Sequence, residues 1–154
     1  MSTITYRDGV MASDSRGYSG TSGPIGAKQK IYVLADGTKV GISSRAPGQS
    51  EAFAAWIEKG SPVDDKPGFE LDLVALVVRP DGQVFYYFDS WYPAGPVFAE
   101  YYSVGSGRDY ALAAMACGRT AEEAIGVAAL FDPWTGGSVL STRPGALKEP
   151  PLHA

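Results

Sequence analysis

The sequence has one cysteine, Cys117, and one histidine, His153, among its 154 residues. One thiol cannot form an internal disulfide, and one Cys with one His cannot supply the ligands of an ordinary zinc site. We therefore expect no metal and no other cofactor, and Cys117 should be a small buried residue of an apolar helix. Because His153 lies in a Pro-rich tail, any hydrolase here needs a base other than imidazole.

An excess of basic residues and a long apolar run are also missing. The chain has 13 Lys and Arg against 17 Asp and Glu, a net charge of −4. It is therefore poorly suited to neutralise phosphates, and we expect no nucleic-acid or membrane partner. The longest apolar run, 73–78, is too short to cross a bilayer. The first residues have no stretch of the signal-peptide type, so we expect a cytoplasmic protein of a bacterium or a phage-infected cell.

The remaining composition is that of one soluble globular domain. Apolar residues make up 45% and charged residues 19% of the chain. The length suits a domain with a single core, and the sequence has no internal repeat. We predict one domain over residues 1–143 and a Pro-rich C-terminal tail over residues 144–154.

Apolar alternation and turn signals predict short strands with a few helices. Asp8-Gly9, Asp36-Gly37 and Pro80-Asp81-Gly82 each lie between two β-prone runs and predict hairpins. Segments 17–26, 61–68 and 131–137 have the composition of loops. The order contains few strand–helix–strand units, which favours an α+β fold of antiparallel sheets with helices outside. The predicted elements are strands 4–6, 10–12, 30–34 and 38–42, helix 50–59, strands 71–78, 83–88 and 101–104, helices 108–117 and 121–130, and strand 138–141.

Ser2 is the first candidate for a catalytic residue. A hydrolase without histidine can use its own N-terminal amine to activate the side chain of a terminal Ser, Thr or Cys. An α-amino group has an ordinary pKa of about 7.7–8.0, low enough to accept a proton near neutrality. Ser2 is small enough that removal of Met1 is generally permitted. Alternatively, Ser2 has no function, since serine is common at the second position.

Several segments together resemble the mature proteasome β subunits and their bacterial two-component-protease relatives. The first is 2–4 (Ser-Thr-Ile), followed by 9–15 (Gly-Val-Met-Ala-Ser-Asp-Ser). Further matches are 30–34, the Gly-Ser-Gly of 105–107 with its following helix start, and the Asp-Pro-Trp-Thr-Gly-Gly of 132–137. The resemblance covers nearly the whole chain. It implies a four-layer αββα sandwich of the N-terminal-nucleophile hydrolases, with two antiparallel sheets flanked by helices.

The resemblance also implies roles for individual residues around the nucleophile. Ser2 would replace the family's usual threonine. Lys30 would lie beside it and lower the pKa values of the nearby amine and hydroxyl, while Asp14 would hold Lys30 in place. Otherwise Lys30 is a solvated strand lysine, with Lys28 as the rival for its role, and Asp14 is an ordinary turn residue.

Three residues of the second half complete the implied site. Ser106 and Asp132 would position the amine and shuttle protons, and Thr135 would supply a hydroxyl where the family has serine. The alternatives are a helix N-cap for Ser106 and a loop position for Asp132.

Residues 42–48 depart from the family pattern. The family has a run of small residues here, and a backbone N–H of that run forms the oxyanion hole. This chain has Ile-Ser-Ser-Arg-Ala-Pro-Gly, in which the N–H of Arg45 takes the donor position and Pro47 has no N–H. Losing one oxyanion donor typically costs a factor of roughly 10²–10³ in rate.

Three functional hypotheses follow from these residues. The first is a proteasome-like peptidase or amidase with Ser2 as nucleophile, assembled as a homo-oligomeric ring; an AAA-type unfoldase partner is implied by the family alone. The second is a catalytically inactive protein of the same fold with a structural or assembly role, for example in a virion. The third is a small binding domain with an aromatic cleft at residues 86–92, although aromatic residues in strands more often serve packing.

Overall fold

The computed structural model describes residues 2–18 and 23–144. It is an α+β structure with antiparallel sheets and three α-helices in these residues. The predicted tail lies outside the described residues except for Pro144. The elements are β1 (Thr3–Arg7), β2 (Val10–Ser13), β3 (Arg16–Tyr18), β4 (Pro24–Ala27), β5 (Ile31–Val33), β6 (Lys39–Ser44), α1 (Gln49–Glu58), a 3₁₀ turn (Val63–Asp65), β7 (Leu73–Val78), β8 (Val84–Phe88), β9 (Tyr101–Gly105), α2 (Arg108–Ala116), α3 (Ala121–Phe131) and β10 (Leu140–Ser141).

The first sheet has the strand order β10–β2–β1–β9, and every pairing in it is antiparallel. Its central strand β1 forms the predicted hairpin with β2. Asp8 and Gly9 make the turn with φ values of 51° and 79°, a left-handed backbone that suits this Asp-Gly pair. Strand β9 returns from far along the chain to pair with the other side of β1, which places Gly105 opposite Thr3.

The second sheet has the order β5–β6–β7–β8, again antiparallel throughout. The two sheets approach closely at β6, where a Cβ added to Gly41 would collide with the side chain of Ile4 in β1. Ile4 and Met11 of the first sheet share one buried cluster with Leu76 and Val78 of the second. This cluster forms the apolar interior between the two sheets.

The helices cover other faces of the sheets. Phe53 and Trp56 of α1 pack with Val40 and Tyr87 of the second sheet. Helices α2 and α3 contact each other and strands β1, β2 and β9. Their facing side chains are mostly alanine, which lets the helices approach closely; the buried alanines are Ala111, Ala114, Ala124 and Ala128, and Met115 is buried beside them. No helix in the described part of the chain is long and apolar enough to cross a membrane.

The aromatic run of β8 and the following loop largely serves packing. The rings of Tyr87 and Trp91 are buried and contact Phe53 and Trp56 at centroid distances of 4.9–6.3 Å. Among their neighbours, Phe88 and Tyr92 are exposed. Two of the rings proposed for an aromatic cleft are therefore part of the core.

Some sequence predictions differ from the structure. The segment 17–26 was expected to be a loop, but Arg16–Tyr18 and Pro24–Ala27 pair as a two-stranded hairpin. Cys117 was expected to be buried but is exposed. It follows Ala116, the last residue of α2, and is therefore not part of the helix face that packs on α3. The predicted strands 71–78 and 138–141 are shorter, beginning at Leu73 and Leu140.

Candidate functional site

Ser2 lies at the start of the central strand β1, where the first sheet meets the N-terminus of α2. Its carbonyl oxygen accepts hydrogen bonds from the backbone N–H of Ser106 at 2.8 Å and from the Ser106 hydroxyl at 3.4 Å. The backbone of Gly105 approaches so closely that an added Cβ would overlap the Ser2 carbonyl oxygen. Gly105 also has a φ of 107°, so only glycine fits here comfortably. Ser2 itself is 3% exposed.

Asp14 and Lys30 form a buried ion pair beside this strand start. Lys30 Nζ lies 2.9 Å from Asp14 Oδ2, and both side chains are almost completely buried. The N–H groups of Thr3 and Gly136 donate to the two Asp14 carboxylate oxygens, each at 3.1 Å. Burial lowers the pKa of Lys30 from its ordinary value, and the Asp14 charge opposes that shift. The rival Lys28 is half-exposed and pairs with Glu51 at 3.3 Å.

Ser106, Asp132 and Thr135 form a second group, held together by hydrogen bonds. The hydroxyls of Ser106 and Thr135 donate to Oδ2 of Asp132 at 2.7 and 2.5 Å. Asp132 follows the last residue of α3, and Thr135 is in the loop after it. The structure thus brings together five of the six side chains predicted for the site, in two groups, and the Ser2 backbone contacts Ser106 of the second group. Their catalytic roles stay predictions.

Thr3 connects the two groups and was not singled out in the sequence. Its N–H donates to Asp14, while its hydroxyl oxygen lies 2.6 Å from that of Thr135 and accepts from the N–H of Gly107 at 3.0 Å. The one sequence feature that could have indicated Thr3 is a second hydroxyl side chain directly after Ser2. That signal is weak, because strand threonines are common.

Arg45 lies on the loop between β6 and α1 with an exposed side chain. Its backbone N–H, predicted as the oxyanion donor, donates to the carbonyl oxygen of Asp72 at a length of 3.4 Å. The next N–H, of Ala46, donates to the Ser44 hydroxyl at 3.2 Å. Both donors of this loop therefore already have acceptors in this arrangement.

A cavity of about 180 Å³ opens beside Ser2. Ser2 and Lys30 lie on its wall, as does Arg45. Its further lining residues are Arg16, Gly17, Tyr18, Lys28, Gln29, Ile42, Ser44 and Ser50. The described residues contain no cluster of His, Cys, Asp or Glu that could hold a metal ion.

This arrangement suits acid–base chemistry at a terminal serine. A cation fixed next to Ser2 would favour the unprotonated amine, because a positive charge repels the ammonium form. It would also favour the ionised hydroxyl, because a positive charge attracts the alkoxide. The buried Asp14 fixes that cation through a charge-assisted hydrogen bond. Ser106 of the Ser106–Asp132–Thr135 group restrains the Ser2 backbone through its two hydrogen bonds to the Ser2 carbonyl oxygen.

Solved structures with the same fold exist, although no protein-family model and no curated protein matches the chain. The BPH protein of Thiobacillus denitrificans is 20% identical, with 91% of this chain and 95% of that chain covered and a TM-score of 0.63. Its complex with epoxomicin gives the same identity and coverage with a TM-score of 0.62. HslV of Trypanosoma brucei is 13% identical, with 90% of this chain and 97% of that chain covered and a TM-score of 0.70. HslV is a proteasome-type N-terminal-nucleophile hydrolase, and BPH is a bacterial proteasome homologue. These similarities, over nine-tenths of the chain, show that it has the proteasome β-subunit-like fold.

Proposed function

We propose that this protein is a proteasome-like N-terminal-nucleophile hydrolase that cleaves peptide or amide bonds with Ser2 after removal of Met1. The observation that carries this proposal is the position of Lys30, whose ammonium group is buried against Asp14 on the wall of the cavity that also contains Ser2. A buried ion pair is expensive to place in a protein and is weak evidence for stability, which favours a functional reason for it.

In the proposed reaction the Ser2 hydroxyl oxygen attacks the carbonyl carbon of the substrate. The hydroxyl proton passes to the free α-amine of Ser2, directly or through a water molecule. The tetrahedral intermediate then collapses, the C–N bond breaks, and the leaving amine takes the proton from the α-ammonium group. Water attacks the resulting ester with the α-amine again as base, which releases the acid and restores Ser2.

The other residues act on this centre without forming bonds to the substrate. Lys30 lowers the pKa values of the amine and the hydroxyl, and Asp14 orients Lys30. Ser106, Asp132 and Thr135 hold the Ser2 backbone and relay protons near its amine. The oxyanion donor is the N–H of Arg45, which has to exchange its 3.4 Å hydrogen bond to Asp72 for one to the substrate.

The proposal extends to the architecture and assembly of the protein. We infer that residues 1–143 form a four-layer αββα sandwich, with α1 outside one sheet and α2 and α3 outside the other. By similarity to the proteasome-like relatives, the chain is expected to form a homo-oligomeric ring in the cytoplasm of a bacterium or a phage-infected cell. An AAA-type unfoldase partner follows from the family alone.

A second candidate function is a non-catalytic structural or assembly protein on the same fold, for example a virion component. The engaged N–H groups of Arg45 and Ala46 favour it, because an oxyanion hole needs a donor aimed at the substrate. A protein that keeps Met1 would also lack the free amine on which the proposed reaction depends.

The test is the intact mass of the purified protein with sequencing of its N-terminus, followed by assays with a peptide library. We expect a mass lower by one methionine, Ser2 at the free end, turnover that is lost in Ser2→Ala and turnover that is kept in Ser2→Thr. Ser90→Ala, in the loop after β8, is the control for a serine outside the site. Retained Met1, or peptide cleavage that persists in Ser2→Ala, would rule out catalysis by Ser2 and favour the second function. Epoxomicin, which the Thiobacillus protein binds, should raise the melting temperature of the processed chain.

A further inference from the structure

The cavity beside Ser2 has a wall with positive charges and no acidic residue. Its charged lining residues are Arg16, Lys28, Lys30 and Arg45. All its other lining residues are uncharged. Residues 19–22, which connect β3 to β4, are Ser-Gly-Thr-Ser and contain no ionisable side chain either.

Two of these four charges are neutralised within the protein. Lys30 is paired with Asp14 at 2.9 Å and Lys28 with Glu51 at 3.3 Å. Neither Arg16 nor Arg45 forms an ion pair with a carboxylate of the described residues. The cavity is therefore lined by two arginines whose charges have no carboxylate partner in that part of the chain.

Arg16 is held in position by its neighbours. Its Nη1 donates to the Tyr18 hydroxyl at 3.0 Å, and that hydroxyl donates to the carbonyl oxygen of Pro133 at 3.1 Å. The guanidinium plane also lies against Gly136, where an added Cβ would overlap it. A planar guanidinium fixed in this way loses little entropy when it binds a carboxylate, and it matches the two carboxylate oxygens in geometry.

The size of the cavity limits what enters it. Pockets for drug-sized ligands usually have about 300–1,000 Å³. At about 180 Å³ this cavity suits one side chain of a larger substrate whose backbone passes Ser2. A carboxylate side chain is the chemical group that two unpaired arginines would select, because a lysine would be repelled and an apolar side chain would leave both charges without a counterion.

We propose that this cavity is a specificity pocket for acidic side chains, and that the substrates are peptides with Glu or Asp next to the cleaved bond. Arg16 and Arg45 contact the carboxylate. This inference rests on the proposed hydrolase function and adds the class of substrate to it.

The first experiment compares peptides that differ only in the residue before the cleaved amide bond, which is Glu, Gln, Leu or Lys. With the processed chain at low salt we expect kcat/KM for the Glu peptide to exceed that for the Gln peptide at least tenfold, about 1.4 kcal/mol. Arg45→Gln should remove most of this preference. Lys59→Gln removes the same charge from the exposed end of α1, outside the cavity, and should leave the preference intact.

The second experiment measures binding without turnover. Ser2→Ala is titrated with the Glu and Gln peptides, and the dissociation constants are compared at low and high salt. We expect tighter binding of the Glu peptide, with a difference that shrinks as salt screens the arginines.

The outcomes separate the inference from the function it rests on. Cleavage without a Glu preference, or equal dissociation constants for the two peptides, would overturn the acidic pocket while leaving the hydrolase in place. Absence of cleavage for every peptide, together with a salt-sensitive preference for Glu in binding, would contradict the hydrolase and retain the acidic pocket.

Discussion

Lys30 Nζ and Asp14 Oδ2 are 2.9 Å apart in a part of the protein that excludes almost all solvent. The same carboxylate accepts a hydrogen bond from the backbone N–H of Thr3, the residue directly after Ser2. The position of the cation is therefore fixed relative to the start of β1. Both side chains are almost completely buried, so removal of one charge should strongly destabilise the other in the folded protein.

We expect Lys30→Met to lower the free energy of unfolding by about 3–5 kcal/mol, because it leaves the Asp14 carboxylate buried without its cation. Urea unfolding followed by tryptophan fluorescence measures this change. Lys28→Met removes a cation whose partner Glu51 is exposed, and should change stability by less than about 1 kcal/mol.

The double variant Asp14→Asn with Lys30→Met tests whether the two charges act as a pair. It should be clearly less destabilised than the sum of the two single variants, because no uncompensated buried charge remains. Additive losses in this cycle would mean that Asp14 and Lys30 do not interact as the 2.9 Å contact implies.

Much of the fold could be predicted because its signals are local. Three hairpins turn at Asp8-Gly9, Asp36-Gly37 and Asp81-Gly82, as predicted. In each turn the glycine adopts the left-handed backbone that a tight connection requires. Helix α3 was predicted to begin at residue 121, and the capping box of Thr120 and Glu123 at that position has both of its hydrogen bonds. Each of these predictions needed only the residues within one turn.

The remaining features depend on residues that are distant in sequence. The hydroxyls of Thr3 and Thr135 meet across 132 positions, and nothing in either neighbourhood indicates the contact. The hairpin of Arg16–Tyr18 and Pro24–Ala27 has glycine and proline where β-propensity is low, so its pairing depends on the surrounding structure. The hydrogen bond from Arg45 to Asp72 is likewise set by the pairing of β6 with β7.

The proposed reaction predicts a bell-shaped dependence of kcat/KM on pH. The α-amine of Ser2 works only when unprotonated, and the adjacent Lys30 cation should lower its pKa below the ordinary value of about 7.7. Activity should therefore rise with pH through an apparent pKa under about 7.7. Burial lowers the pKa of Lys30, so the cation is lost, and activity falls, before the pH reaches the 10.5 of an ordinary lysine.

His153→Gln is the control for this profile, because His153 is the one histidine in the sequence and histidine is the side chain whose unperturbed pKa lies near neutrality. The acid limb should be unchanged in this variant when kcat/KM is measured from about pH 5 to 10. An acid limb that disappears with His153, or a rate that is flat across neutral pH, would contradict an N-terminal amine as the base.

Gly107→Ala should disturb the site through packing alone. The φ of Gly107 is −94°, which alanine adopts freely, but its Cβ would overlap the hydroxyl oxygen of Thr3 and lie 2.9 Å from that of Thr135. We expect a loss of about 1–3 kcal/mol in the free energy of unfolding from this crowding. Peptide turnover should fall as well, because Thr3 connects Asp14 to the Asp132 group.

Gly126→Ala is the matched control, since this glycine is exposed in α3 and an added Cβ meets nothing within 4 Å. Alanine should stabilise the helix by about 0.5–1 kcal/mol and leave turnover unchanged. Thermal unfolding and a peptide assay of both variants measure the contrast. If Gly107→Ala were as stable and as active as Gly126→Ala, the close contact at Thr3 would have no energetic or catalytic consequence, and the hydroxyl network would not be needed to position Ser2.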